Sequence, residues 1–331
     1  MKTRIELIAM YGQAEEYSEG LALVGTVGRK FHVHPDGTPA YRRTFMNGGN
    51  FHEGLAPMFM RPCNSDGYPR CHILRNGEPA YKQRYREASD FHNGLAIVSS
   101  RPGGEFHIRP NGEPAYEEKY GMVGLFHEGF AKAWGRNPAG CFHIGLNGKP
   151  AYEAVFDKLG DFSEGFAAVC KKGDGSWYHI RHDGKPAYRG RYVSVGDFSH
   201  GLATASDGKA GFHIRGDGKP AHNKRYEEVG CFSSEEDGLA WVRVDGVEFH
   251  IRTDGAPAYE MRFEKVGCFF ADGLATATKD GKQFHILPNG KPAYEQRYGF
   301  VTSFHRGVAL VRWEQFGDDN FHIRPDGTKV E

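Results

Sequence analysis

The chain has 331 residues, with Lys plus Arg and Asp plus Glu equal at 42 each, so no basic field draws in nucleic acid or an anionic membrane surface. Its 45 glycines, 17 prolines and 13% aromatic residues suit many turns bound together by packed rings rather than long helices, which points to an all-β fold. The six cysteines, Cys63, Cys71, Cys141, Cys170, Cys231 and Cys268, form no CxxC pair and are expected to be reduced thiols of a cytoplasmic protein, since no apolar run reaches the roughly 18 residues of a membrane span and the start MKTRIELIAMYGQAEEYSEG lacks a signal core.

The first stretch, Arg4 to Tyr11 (RIELIAMY), aligns with KPAYRGRY of a later repeat and is expected to be a strand. From Gly20 onward the chain repeats. The histidine of an F-H-I run falls at His32, His72, His107, His143, His179, His213, His250, His285 and His322, a step of 34 to 40 residues. A Gly-Leu-Ala-like run begins at Gly20, Gly54, Gly94, Gly129, Gly165, Gly201, Gly238, Gly273 and Gly307. Nine of each define nine units of about 36 residues, read as one repeat domain spanning residues 1–331.

Each unit reads as strand LAxV, a variable loop, strand FHI, an Asx-Gly turn, strand PAY, and a connection xxRYxxVGxF that closes in a SEG-like turn. From each His to the next Gly the count is 22 in six of eight cases, whereas from each Gly to the following His it ranges from 12 to 18. Insertions therefore concentrate in the loop between LAxV and FHI, and in repeat proteins such insertions map to one face, often the binding face. The Asx-Gly pair, as in Asp183-Gly184, is present in all nine units and predicts a hairpin with φ > 0 at both central positions. Proline opening PAY places that run on the outer edge of its sheet.

The last unit stops just past Asp326-Gly327 without a PAY run, while the N-terminus carries a spare strand. Lending one to the other would close a ring and remove exposed sheet edges. The expected architecture is a closed β-propeller of nine small blades, with residues 1–19 closing the last blade; the alternative is an open β-repeat array.

No residue is singled out for catalysis, metal binding or a cofactor. In an F-H-I strand the histidine faces opposite to Phe and Ile, and equivalent positions around a ring diverge, so the expected role is a packed histidine bonded to backbone. The repeated carboxylates before the Gly-Leu-Ala run, Glu19, Glu53, Glu128, Glu164, Asp237 and Asp272, are read as acceptors of backbone N–H groups in the turn. Arg84, Arg191, Arg225, Arg262 and Arg297, each before an aromatic residue, are expected to pack on rings of the adjoining unit. Binding residues are sought where the units stop agreeing. Pro57 to Arg70 brings Met58, Phe59, Met60, Arg61, Tyr68 and Arg70 together, and Arg312 to Asn320 adds Trp313 and Phe316. Aromatic, Met and Arg residues on a loop rim form an interface anchor set; folding back as lids is the competing structural role.

The unit EGFAAVCKKGDGSWYHIRHDGKPAYRGRYVSVGDFSHG (Glu164 to Gly201) resembles the WG-repeat family of bacterial proteins, also called KWG repeats. The likeness lies in the E-G-[LF]-A-x-V opening, the run before D-G-K and the K/R-Y-x-x-[VA]-x-D-F-S-x-G close, and extends over all nine units. The eponymous Trp-Gly departs: Trp177 keeps the Trp, but Tyr178 replaces the Gly, with Phe usual in the other units. The resemblance implies a bacterial repeat scaffold with no general enzymatic assignment. The functional expectation is a non-catalytic scaffold that binds a protein partner through variable loops on one face, as a monomer without cofactors. The alternative is a multivalent, lectin-like glycan binder.

Overall fold

The computed structural model describes residues 1–60, 69–100, 103–136, 139–233, 238–270, 272–305, 307–317 and 319–330. Arg4–Tyr11 is a helix, not the strand expected from its alignment with the repeats. Thr3 accepts from the Glu6 N–H and the Glu6 carboxylate accepts from the Thr3 N–H. This reciprocal capping box satisfies two N–H groups that a helix start leaves without partners. The helix buries Leu7 beside Ala22, Val24 and Val33 of the first repeat, so it caps that sheet and lends no strand elsewhere.

Every repeat forms a small antiparallel sheet. The first two have two strands, Ala22–Thr26 with Arg29–Val33 and Ala56–Phe59 with Arg70–Ile73. The remaining seven have three strands each. In the fifth, for example, Ala167–Cys170 lies between Lys158–Leu159 and Trp177–Ile180. The ninth comprises Phe300–Val301, from the connection just before Gly307, with Ala309–Arg312 and Phe321–Ile323 of the last repeat.

The outer strands differ from the sequence expectation. The PAY run is no strand: it makes a single bridge, such as Ile180 with Pro186, and then bends away. Proline has no N–H to extend the ladder. The edge position is taken instead by a short strand in the connection, as in Ser194–Val195 just before Gly196.

The turns also sort differently. In Arg181-His182-Asp183-Gly184-Lys185, only Gly184 has positive φ (74°). Gly184 N–H donates to Arg181 O, and the Asp183 carboxylate accepts from Lys185 N–H. This is a type I turn followed by a left-handed glycine, the G1 bulge of three-residue hairpins, rather than the two-residue type expected. Turns with positive φ at both positions are instead those before the Gly-Leu-Ala run, Glu19-Gly20, Glu53-Gly54, Asn93-Gly94, Glu128-Gly129, Glu164-Gly165 and His200-Gly201, together with Asp245-Gly246 and Asp280-Gly281.

The chain gathers into two compact halves, Met1–Val155 with the first four sheets and Phe156–Glu331 with the other five. Each half buries its own row of rings and branched side chains. In the first these include Phe51, Phe91, Ile73 and Ile108; in the second, Phe232, Phe269, Phe304 and Ile286. No helix among the described residues is long and apolar enough to cross a membrane.

Candidate functional site

Eight of the nine repeated histidines are buried, His322 of the last repeat being exposed, and seven of the eight act as bolts between sheets. In the second half, the Nε2 atoms of His179, His213, His250 and His285 approach the carbonyl oxygens of Gly196, Gly230, Gly267 and Thr302 at 2.8 to 3.0 Å, each seventeen residues on, in the next sheet. In the first half His32, His72 and His107 do the same to Gly49, Ser89 and Gly124. A carbonyl can only accept, so Nε2 carries the proton and Nδ1 is left as an acceptor. That acceptor is met by the PAY tyrosine nine residues later, as in Tyr81 to His72 at 2.5 Å and Tyr188 to His179 at 2.6 Å. The backbone-bonded histidine follows from the strand pattern; the tyrosine partner does not. Burial holds these seven histidines down to about 4, well below their ordinary 6.5, so they are neutral at pH 7.

The sixth repeat departs from this scheme. His222 stands where the tyrosine would, with its ring seated against Gly255 as Tyr259 is against Gly290. The shorter ring leaves His213 Nδ1 without a partner, and both nitrogens of His222 and the Tyr226 hydroxyl have none either. Tyr85 and Tyr192 donate to turn carbonyls of the following repeat, Gly112 and Gly218. The carbonyl available to Tyr226, that of Gly255, is taken by Lys224 Nζ at 2.6 Å.

The repeated charges have local structural tasks. Arg191 Nη1 donates to the carbonyls of Tyr188, Arg189 and Gly190 while its guanidinium lies 3.8 Å from the Tyr178 ring centroid. Arg225, Arg262 and Arg297 sit likewise over Phe212, Phe249 and Phe284. The stacked ring belongs to the arginine's own repeat, not the adjoining one, because the Asx-Gly hairpin brings the two together. The turn carboxylates do bridge repeats: Glu19, Glu53 and Glu164 accept from the N–H groups of Gly54, Gly94 and Gly201 in the next turn.

Of the anchor residues expected in the second repeat, Arg61 and Tyr68 lie outside the described residues. Met58 is fully buried against the core and presents nothing at the surface. It alternates with its neighbours on the strand Ala56–Phe59, and its side chain faces inward. Met60 packs on the same core. Phe59 and Arg70 are brought together, with the guanidinium 4.0 Å from the ring centroid and 2.5 Å from Glu87. Both line a cavity of about 470 Å³ in the first half with Pro57, Asp90, His92 and Leu125. In the second half Trp313 lies on Tyr298 and Phe321, at 4.8 and 5.7 Å between centroids, and is 48% exposed; Phe316 is 91% exposed.

A repeat position that sequence reading passed over lines the cavities of both halves. It precedes the last phenylalanine of each connection and is Asn50, Asp90, Leu125, Asp161, Asp197, Cys231, Cys268 and Ser303 in turn. Asp90 and Leu125 face the cavity in the first half. Asp197, Cys231 and Cys268 face one of about 810 Å³ in the second. The signal was available as variation between a small residue, Gly in six of the eight units, and a Phe repeated in all eight. Among the described residues no group of three or more His, Cys, Asp or Glu gathers where it could hold a metal ion.

Nine small antiparallel sheets, bolted in sequence by buried histidines within each half, define an all-β tandem-repeat protein. Residues 144–174 and 216–247 match the family model described as WG containing repeat. In these two segments the chain carries WG-type repeats, the first of them overlapping the Glu164 to Gly201 pattern. A crystal structure titled as the eukaryotic initiation factor is similar over 96% of this chain and 87% of its own, at 10% identity and a TM-score of 0.50; this likeness concerns the fold alone. The computationally designed Ika8 protein (11% identity, 84% of this chain and 93% of its own, TM-score 0.42) and BamB from Moraxella catarrhalis (12%, 84% and 94%, TM-score 0.34) are more distant in shape. No curated protein matches the sequence.

Proposed function

We propose that the chain is a non-catalytic scaffold that binds a protein partner through side chains the repeats do not share. The observation that carries this reading is the segment after Ala309–Arg312, where Phe316 stands 91% exposed three residues after the half-exposed Trp313. Trp313 is held from behind by Tyr298 and Phe321, so its ring is already ordered, and rigid aromatic anchors of this kind dominate binding energy at protein interfaces. Outside the sixth and last repeats, the repeated His, Tyr, Arg and Glu side chains described above are engaged in internal bonds, which leaves recognition to the irregular positions.

The test is pull-down from the native host with the wild-type chain and with a Trp313→Ser, Phe316→Ser variant, followed by mass spectrometry and binding of the purified partner. A partner lost by the variant supports the reading. Glycan-array binding that survives the variant, with several sites per chain, favours the lectin-like alternative.

The finer architecture, nine blades in a closed propeller, belongs to the same proposal. Its support is the histidine bond repeated from sheet to sheet within each half. Small-angle X-ray scattering separates a compact ring from an open array by the radius of gyration.

A further inference from the structure

Five cysteines are described, and they fall into two groups. Cys71, Cys141 and Cys170 are buried in strands, whereas Cys231 is exposed and Cys268 partly so. The two accessible thiols occupy the same repeat position in consecutive repeats, thirty-seven residues apart, and both line the cavity of about 810 Å³. Their backbones are anchored. The residues just before them, Gly230 and Gly267, accept the Nε2–H bonds of the buried His213 and His250 at 3.0 and 2.9 Å.

The surroundings favour a cation. Glu164 and Asp197 share the lining, and no Lys or Arg is among the described lining residues. Ser233, which also lines the cavity, is 8% exposed, and its buried hydroxyl has no partner.

We infer that this cavity binds a soft d10 cation through Cys231 and Cys268, an inference independent of the protein-partner reading. Thiolates select such ions over hard ones. Binding is a ligand exchange without redox change: each thiol loses its proton as a metal–sulfur bond forms, two protons leave to solvent, and solvent completes the shell.

The experiment titrates the reduced full chain with Cd2+ alone, reading thiolate-to-metal charge-transfer absorption and proton release, with Mg2+ as the hard-ion comparison. One Cd2+ per chain, two protons released per ion, and loss of the band in both Cys231→Ser and Cys268→Ser are expected. Ser303 occupies the same position in the last repeat, so serine is compatible with the fold there; circular dichroism confirms it for each variant. A wild-type chain without the band overturns the inference. So does a band that survives in either single variant, or binding of two ions, one per thiol.

Discussion

The Tyr188 hydroxyl lies 2.6 Å from Nδ1 of His179, while the opposite nitrogen of the same ring lies 2.9 Å from Gly196 O in the next sheet. One imidazole thus ties its own hairpin to the next sheet, and the tyrosine sets the tautomer that makes this possible. Tyr188→Phe leaves a buried ring nitrogen without a partner, which costs about 1–3 kcal/mol. Urea unfolding of wild type and variant measures it as a lowered midpoint with an unchanged slope. An unchanged midpoint would show that the hydroxyl contributes nothing beyond packing.

His222→Tyr is expected to stabilise the chain. The substitution restores the hydroxyl that His213 Nδ1 lacks, and the seat beside Gly255 already holds a ring as the equivalent tyrosine seats do. A gain of about 1 kcal/mol is expected from the new bond, read as a raised unfolding midpoint. A loss of stability would mean that the sixth repeat is shaped around histidine.

Acid should unfold the protein within a defined window. The seven histidines held down to about 4 titrate at 6.5 when exposed. Between these values the unfolded chain binds more protons than the folded one, so stability is full above pH 6.5, falls as pH drops, and is no longer lost to these groups below pH 4. Each shift is worth about 3 kcal/mol. Seven together exceed the ~5–15 kcal/mol of an ordinary domain, so unfolding is expected before pH 4 is reached. Near-ultraviolet circular dichroism against pH follows the transition; native spectra persisting at pH 4 would contradict it.

Glycines of the same φ should differ in tolerance. Gly290 (φ 77°) and Gly201 (φ 73°) are both left-handed. A methyl group on Gly290 would meet the Tyr259 ring at 2.5 Å, whereas one on Gly201 meets nothing within 4 Å. Gly201→Ala should cost about 1–2 kcal/mol from conformation alone, and Gly290→Ala distinctly more, compared by denaturant unfolding. Equal costs would show that the tyrosine yields freely.

The sequence alone determined what is written in neighbouring residues: nine units, the FHI strands, the Asx-Gly hairpins, and histidines that pack against backbone. Even there one local signal pointed the other way from the alignment, since Thr3 and Glu6 spell a capping box and Arg4–Tyr11 is a helix. Phe59, Arg70, Trp313 and Phe316 do reach a cavity or the surface, but Met58 does not, because alternation along its strand turns it into the core.

Tertiary structure decided the rest. Gly290 is glycine for two reasons, its φ and the Tyr259 ring of the preceding repeat, and only the first has a local signature. The same holds for His179 reaching Gly196, for Glu164 reaching Gly201, and for Cys231 and Cys268 lining one cavity. Backbone conformation depends on a few adjacent residues and leaves its period in the sequence. Contacts between one repeat and the next depend on how sheets pack, and which side chains then share a space follows from packing alone.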